Sequence, residues 1–94
     1  MKGSDLLTRE TVLANANTLI NGDRADMYGD AHIAHDRIAR VWSVILDTEV
    51  NAHQVCLLLA SMKMMRAAVN PGYLDSWIDM AGYAALGAEI VSKP

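Results

Sequence analysis

The chain has 94 residues, 52% of them apolar, with a formal charge of −3 and one cysteine. That length makes one domain, and the acidic balance excludes a general affinity for nucleic acid or anionic membrane, both of which need a basic field. A single cysteine excludes an internal disulfide and fits a reducing cytoplasm. No apolar run approaches the ~20 residues of a membrane span, and the N-terminus lacks the charged-then-apolar order of a signal peptide.

Residues 1–7 read as a loose tail. Over 8–21, Val12, Leu13, Ala16, Leu19 and Ile20 recur at helical spacing, and Gly22 is expected to close that helix as a left-handed cap. The stretch from Asp23 to Asp30 has no period and reads as a loop. Asp30 is placed to cap a second helix over 31–46, with Ile33, Ile38, Val41, Trp42 and Ile45 on its apolar face. Asn51 with Gln54 three positions on is a capping-box pattern that opens a third helix over 52–69. This helix is apolar nearly all round, so it must be central or shared between subunits. Asn70-Pro71-Gly72 ends it. A fourth helix over 74–91 carries a run of small residues, Ala81 to Ala88, that lets a neighbouring backbone come close. Strand patterns are absent. The expected fold is a single all-α domain, a compact bundle of about four helices working as an oligomer.

Lys63 and Arg66 interrupt the most apolar helix, three residues apart and on one face, with Asn70 a turn further. They read either as an anion grip, forked guanidinium donors beside a mobile ammonium, or as a solvent face whose long stems lie over core. Tyr28-Gly29-Asp30 offers a tight turn whose backbone N–H groups suit an anion, or simply a packing aromatic and a cap. Asp75 and Asp79, four apart on the fourth helix, either help to hold Mg²⁺ or pair with Lys63 and Arg66 across the hairpin; two carboxylates alone make a poor cage, which favours pairing. Trp77 between them is a core aromatic or a surface for a base, and Tyr83 beyond is a hydrogen-bonding partner beside Asp79. His32, His35 and Asp36 have ligand-like spacing without a supporting cluster, so no metal is expected. Arg37 and Arg40 read as an exposed face able to widen an anion site. Cys56 lacks a partner base or acid and reads as core.

The order Tyr28-Gly29-Asp30, Trp42, Lys63 and Arg66, then Asp75-Ser76-Trp77-Ile78-Asp79-Met80-Ala81-Gly82-Tyr83 resembles a family of small phage and prophage proteins of unassigned function, over about residues 26–90. It is similar, more distantly, to phage nucleotide-modification-associated domains and to MazG-like all-α NTP pyrophosphatases. That likeness implies a nucleotide ligand and an oligomeric helical bundle. The third helix, however, has no acidic residue, whereas MazG-like enzymes place a Glu-rich metal motif there.

Three functions follow as expectations. The first is a nucleotide-binding protein that sequesters a host signalling nucleotide to counter antiviral defence, using Lys63, Arg66, Tyr28, Asp30, Asp75, Asp79, Tyr83 and Trp77, without a cofactor. The second is a pyrophosphatase with an incomplete Mg²⁺ site drawn from Asp26, Asp30, Asp75 and Asp79. The third is a protein that inhibits a host defence complex by contact.

Overall fold

A computed structural model of the chain describes residues 7–22 and 30–92. Four helices account for nearly all of them: α1 Arg9–Asn21, α2 Ala31–Leu46, α3 Ala52–Val69 and α4 Asp75–Ser92. No strand occurs among the described residues. The all-α expectation holds, and α2 and α3 begin and end where the sequence pattern sets them.

Local chemistry explains the boundaries. Thr8 caps α1, its hydroxyl accepting from the Thr11 N–H at 3.2 Å while its own N–H reaches the Thr11 hydroxyl at 2.9 Å. Asp30 caps α2 by accepting from the His32 N–H at 2.7 Å, which satisfies one of the orphan donors of the first turn. At the far end of α2, Asp47 is left-handed (φ 53°) and its N–H closes onto Val44 and Ser43 carbonyls. Ser43 latches the turn that follows, accepting the Val50 N–H at 2.8 Å and donating to the Ala39 carbonyl at 2.7 Å. Gln54 accepts the Asn51 N–H at 2.8 Å to start α3.

One terminus differs from expectation. Gly22 closes α1 at φ −97°, not in the left-handed region. A Cβ there would lie 2.5 Å from the Thr18 carbonyl oxygen, so it is close approach to the preceding turn that demands glycine, not the sign of φ.

The centre of the molecule is the α3–α4 hairpin, folded at Asn70-Pro71-Gly72. α1 lies against α4, and α2 lies mainly against α3. The small residues of α4 serve both contacts. A Cβ on Gly82 would meet Ile20 of α1 at 3.2 Å, and one on Gly87 would meet the Cβ of Cys56 on α3 at the same distance. Among the described residues the buried apolar set is correspondingly small: Ala16, Ala39, Val55, Cys56, Ala67, Ile78 and Leu86. Burying a side chain the size of Val55 contributes about 1.5–3 kcal/mol, so a core this lean gives a thin margin for one chain alone.

What α3 buries is only one of its sides. Leu57, Leu58, Met64, Met65 and Val69 are all exposed on the single chain, as are Val44 and Ile45 of α2. The all-round apolar character of α3 is therefore divided between the hairpin joint and an open face.

Candidate functional site

Two places collect polar chemistry. The first is the joint of the hairpin. Lys63 Nζ lies 3.0 Å from Asp79 Oδ2, with side chains only 16% and 21% exposed. Chain geometry produces this: the bend at Pro71-Gly72 returns α4 antiparallel to α3, which sets a residue eight before the bend against one about eight after it. Arg66 and Asp75, a turn nearer the bend, are both exposed and form no ion pair among the described residues. Of the two cations and two acids placed here by sequence, one pair meets.

Trp77 is pinned beside the joint. Its indole N–H donates to the Pro71 carbonyl at 3.0 Å, leaving the ring 46% exposed. The polar end of the indole is thus satisfied within the bend, and a ring face remains toward solvent. Tyr83 lies a turn beyond Asp79 and is half-buried. Asp30 stands elsewhere: it caps α2 two residues before His32, whose ring approaches Glu89 at 3.7 Å. Glu89 is ten residues from Asp79, about 15 Å along α4 at 1.5 Å per residue. Tyr28 and Asp26 fall outside the described residues.

The second place is a cleft of about 500 Å³ between α2, the start of α3 and the end of α4, lined by His32, Ile33, Asp36, Arg37, Arg40, Ala52 and Ile90. Three of these bear nitrogen donors toward one concavity, and Ile33 and Ile90 supply apolar wall. Arg40 is bound to Asp36 at 3.2 Å, with both side chains largely exposed, so screening makes that pair worth little and the guanidinium is easily redirected. Arg37 forms no ion pair among the described residues. His32 Nε2 is buried without a hydrogen bond and faces Glu89 Oε2 at 3.7 Å, so a carboxylate of α4 stands at the inner end of the cleft. Ala52, at the first turn of α3, adds the positive end of a helix dipole. Ala52 and Lys63 are eleven residues apart on α3, about 16 Å, so cleft and joint are separate.

Sequence reasoning gave α2's arginines a subordinate part and set His32 aside. The available signal was the recurrence of His32, Asp36 and Arg40 at four-residue intervals, one face of one helix. What sequence could not supply is that α2 brings that face over the ends of α3 and α4. His35 points inward instead: it is buried, and its Nδ1–H donates to the Ala31 carbonyl at 2.7 Å. Among the described residues no three of His, Cys, Asp and Glu gather as a metal site would require. Cys56 is buried, and burial pushes its thiol up from the ordinary value, as a core residue rather than a nucleophile.

A family model described as a domain of unknown function, DUF6378, matches residues 11–91. The chain belongs to the DUF6378 family. It is 35% identical over 77 residues to the Gene 55 protein of Mycobacterium phage L5, covering 81% of this chain and 49% of that protein. Its similarity to the Gene 55 protein of Mycobacterium phage D29 is 34% over 85 residues, covering 90% of this chain and 56% of the other. This DUF6378 chain thus spans about half the length of the curated relatives it matches. No solved structure matches it. The resemblance to phage proteins of unassigned function is borne out by these relatives. Among the described residues no helix is long and apolar enough to cross a membrane.

Proposed function

We propose that this phage-type domain binds a nucleotide, holding its phosphates in the cleft between α2, α3 and α4, and that in an infected cell it sequesters a host signalling nucleotide. The observation that carries this reading is the convergence of Arg37, Arg40 and His32 on one cleft with Ile33 and Ile90 as its apolar wall. Guanidinium groups present paired donors that match phosphate oxygens. A ligand phosphate would draw Arg40 from its exposed partner Asp36, with His32 held beside it by Glu89 at 3.7 Å. The apolar wall suits the base or sugar. Sequestration needs affinity alone, so no catalytic group is required of the site.

The likeness to MazG-like enzymes would add Mg²⁺-dependent hydrolysis. Asp79 is engaged with Lys63 instead of standing free beside Asp75, which supports binding over turnover. The joint with Arg66 and Trp77 is the competing location for an anion.

Calorimetry against a panel of linear and cyclic nucleotides tests the proposal. Binding that falls at least tenfold in Arg37→Ala and Arg40→Ala, and not in Arg66→Ala, is the expected result. Loss in Arg66→Ala alone moves the ligand to the joint. No binding by any nucleotide removes the nucleotide reading and leaves contact with a host protein as the function to pursue.

A further inference from the structure

The cleft between α2, α3 and α4 carries a counter-ion of its own. Asp36 and Arg40 line it together, four residues apart on α2, with Asp36 Oδ2 3.2 Å from an Arg40 guanidinium nitrogen. An acid four residues before a base is the favourable order along a helix, so the pair forms without help from another element. Arg37 lines the same cleft and forms no ion pair among the described residues. One guanidinium of the cleft is thus engaged and one is not, with a carboxylate beside them.

We propose that Asp36 determines specificity as an internal competitor: it holds Arg40 until a ligand displaces it, and so keeps the cleft from filling with bare inorganic anions. This rests on the reading of the cleft as the phosphate site.

An entering anion meets Asp36 twice. To use both guanidiniums it must take Arg40 from a carboxylate already bound to it. That carboxylate then stays beside the anion with its own charge uncovered, and the two repel. The first cost is small, because the side chains of Arg40 and Asp36 are 79% and 55% exposed and such a pair is worth little. The second grows with the charge of the anion. An inorganic anion has only charge to set against both. A ligand with an apolar body also buries surface on Ile33 and Ile90, a gain that Asp36 does not oppose. The competitor therefore turns a pair of arginines into a site that demands apolar contact together with phosphate.

The fold asks nothing else of this side chain. α2 is capped by Asp30, and among the described residues the one polar contact of the Asp36 carboxylate is Arg40. Its charge can be removed without stranding a buried partner.

NMR titration of the isotope-labelled chain with pyrophosphate and with inorganic phosphate, followed at the amides of residues 32–40, is the test. Asp36→Asn is expected to bind pyrophosphate about two- to fivefold more tightly than the wild type, with a smaller gain for phosphate. Asp36→Glu, which keeps the charge, should return to the wild-type affinity. Asp47→Asn makes the same change in net charge eleven residues further along α2, about 16 Å away and beyond the ~8 Å screening length. Asparagine accepts the left-handed backbone there (φ 53°), and this variant should bind as the wild type does. Phenyl phosphate, which adds a ring to the same anionic group, should bind the wild type more tightly than inorganic phosphate.

Equal or weaker pyrophosphate binding by Asp36→Asn overturns the proposal. So does an equal gain in Asp47→Asn, or phenyl phosphate held no better than phosphate. Where Arg37→Ala still weakens pyrophosphate binding in those cases, the cleft remains the phosphate site and only the role of Asp36 falls. Pyrophosphate binding that Arg37→Ala leaves untouched, or none by the wild type and Asp36→Asn alike, removes the site and the proposal with it.

Discussion

Lys63 on α3 and Asp79 on α4 meet at 3.0 Å inside the hairpin joint, each side chain about four-fifths shielded from water. A pair so placed is shielded from salt more than a surface pair is, and either member left alone is a charge without its counter-ion. Asp79→Asn and Lys63→Met are each expected to destabilise the domain by about 1–3 kcal/mol. The double replacement Lys63→Met with Asp79→Leu should cost less than the sum of the single losses, since it strands neither charge. Chemical denaturation of the four forms measures this; strict additivity would show that the contact contributes nothing of its own.

The two glycines of α4 that admit neighbouring helices predict opposite outcomes. Replacing glycine by alanine inside a helix stabilises it by about 1 kcal/mol in the absence of other effects. At Gly82 the new methyl meets the Cγ2 of Ile20 at 3.2 Å, the end of a side chain on α1 that can shift by a few tenths of an ångström. At Gly87 it meets the Cβ of Cys56 at the same distance, an atom fixed to the α3 backbone, so the helices themselves must part. Gly82→Ala should therefore be neutral or stabilising by up to about 1 kcal/mol, and Gly87→Ala destabilising by about 1–3 kcal/mol. Thermal unfolding separates them: a shift of about 4–8 °C accompanies each kcal/mol in a domain of this size. Equal shifts would remove the distinction between a yielding and a fixed neighbour.

How far these features could be read from sequence depends on whether their cause is local. Asp30, Asn51 with Gln54, and Asn70-Pro71-Gly72 act within one turn of the backbone, so the spans of α2 and α3 follow from residue order. The pairing of Lys63 with Asp79 was also legible, because a tight bend dictates which positions on two antiparallel helices meet. The cleft was not. It exists because α2 carries His32 to Glu89 on α4, and no short-range pattern specifies the direction in which one helix crosses another. Gly22 shows a subtler limit: its requirement for glycine is visible, but whether φ or a carbonyl imposes it depends on coordinates. Trp77 is similar, since the sequence marks an indole needing a partner and the bend alone supplies the Pro71 carbonyl.

Ser43 predicts a defect confined to one turn. Its hydroxyl accepts from Val50 and donates to Ala39, tying the end of α2 to the approach of α3. Ser43→Ala removes both bonds and leaves the part-buried Val50 N–H without that acceptor. A loss of about 1–3 kcal/mol is expected. Amide exchange at Val50 should accelerate more than exchange in the middle of α3; a uniform change across the chain would mean that Ser43 does not act as a local latch.

Cys56 gives the domain a pH signature. Burial raises its thiol above the ordinary value of 9.0, so the folded state keeps a proton that the unfolded state releases first. Below about pH 9 both states are protonated and this residue's contribution is complete. As pH rises past that value the unfolded chain ionises while the folded one does not, and stability falls until the folded thiol also titrates. The measurement is urea unfolding of the wild type and Cys56→Ala from pH 7 to 10.5. The two free-energy curves should run parallel at the lower end, and the wild type should decline relative to the variant above about pH 9. The same burial should make the native thiol slow to alkylate and quick only in urea. A thiol that reacts equally fast in both would place Cys56 at the surface and remove it from the contact with Gly87.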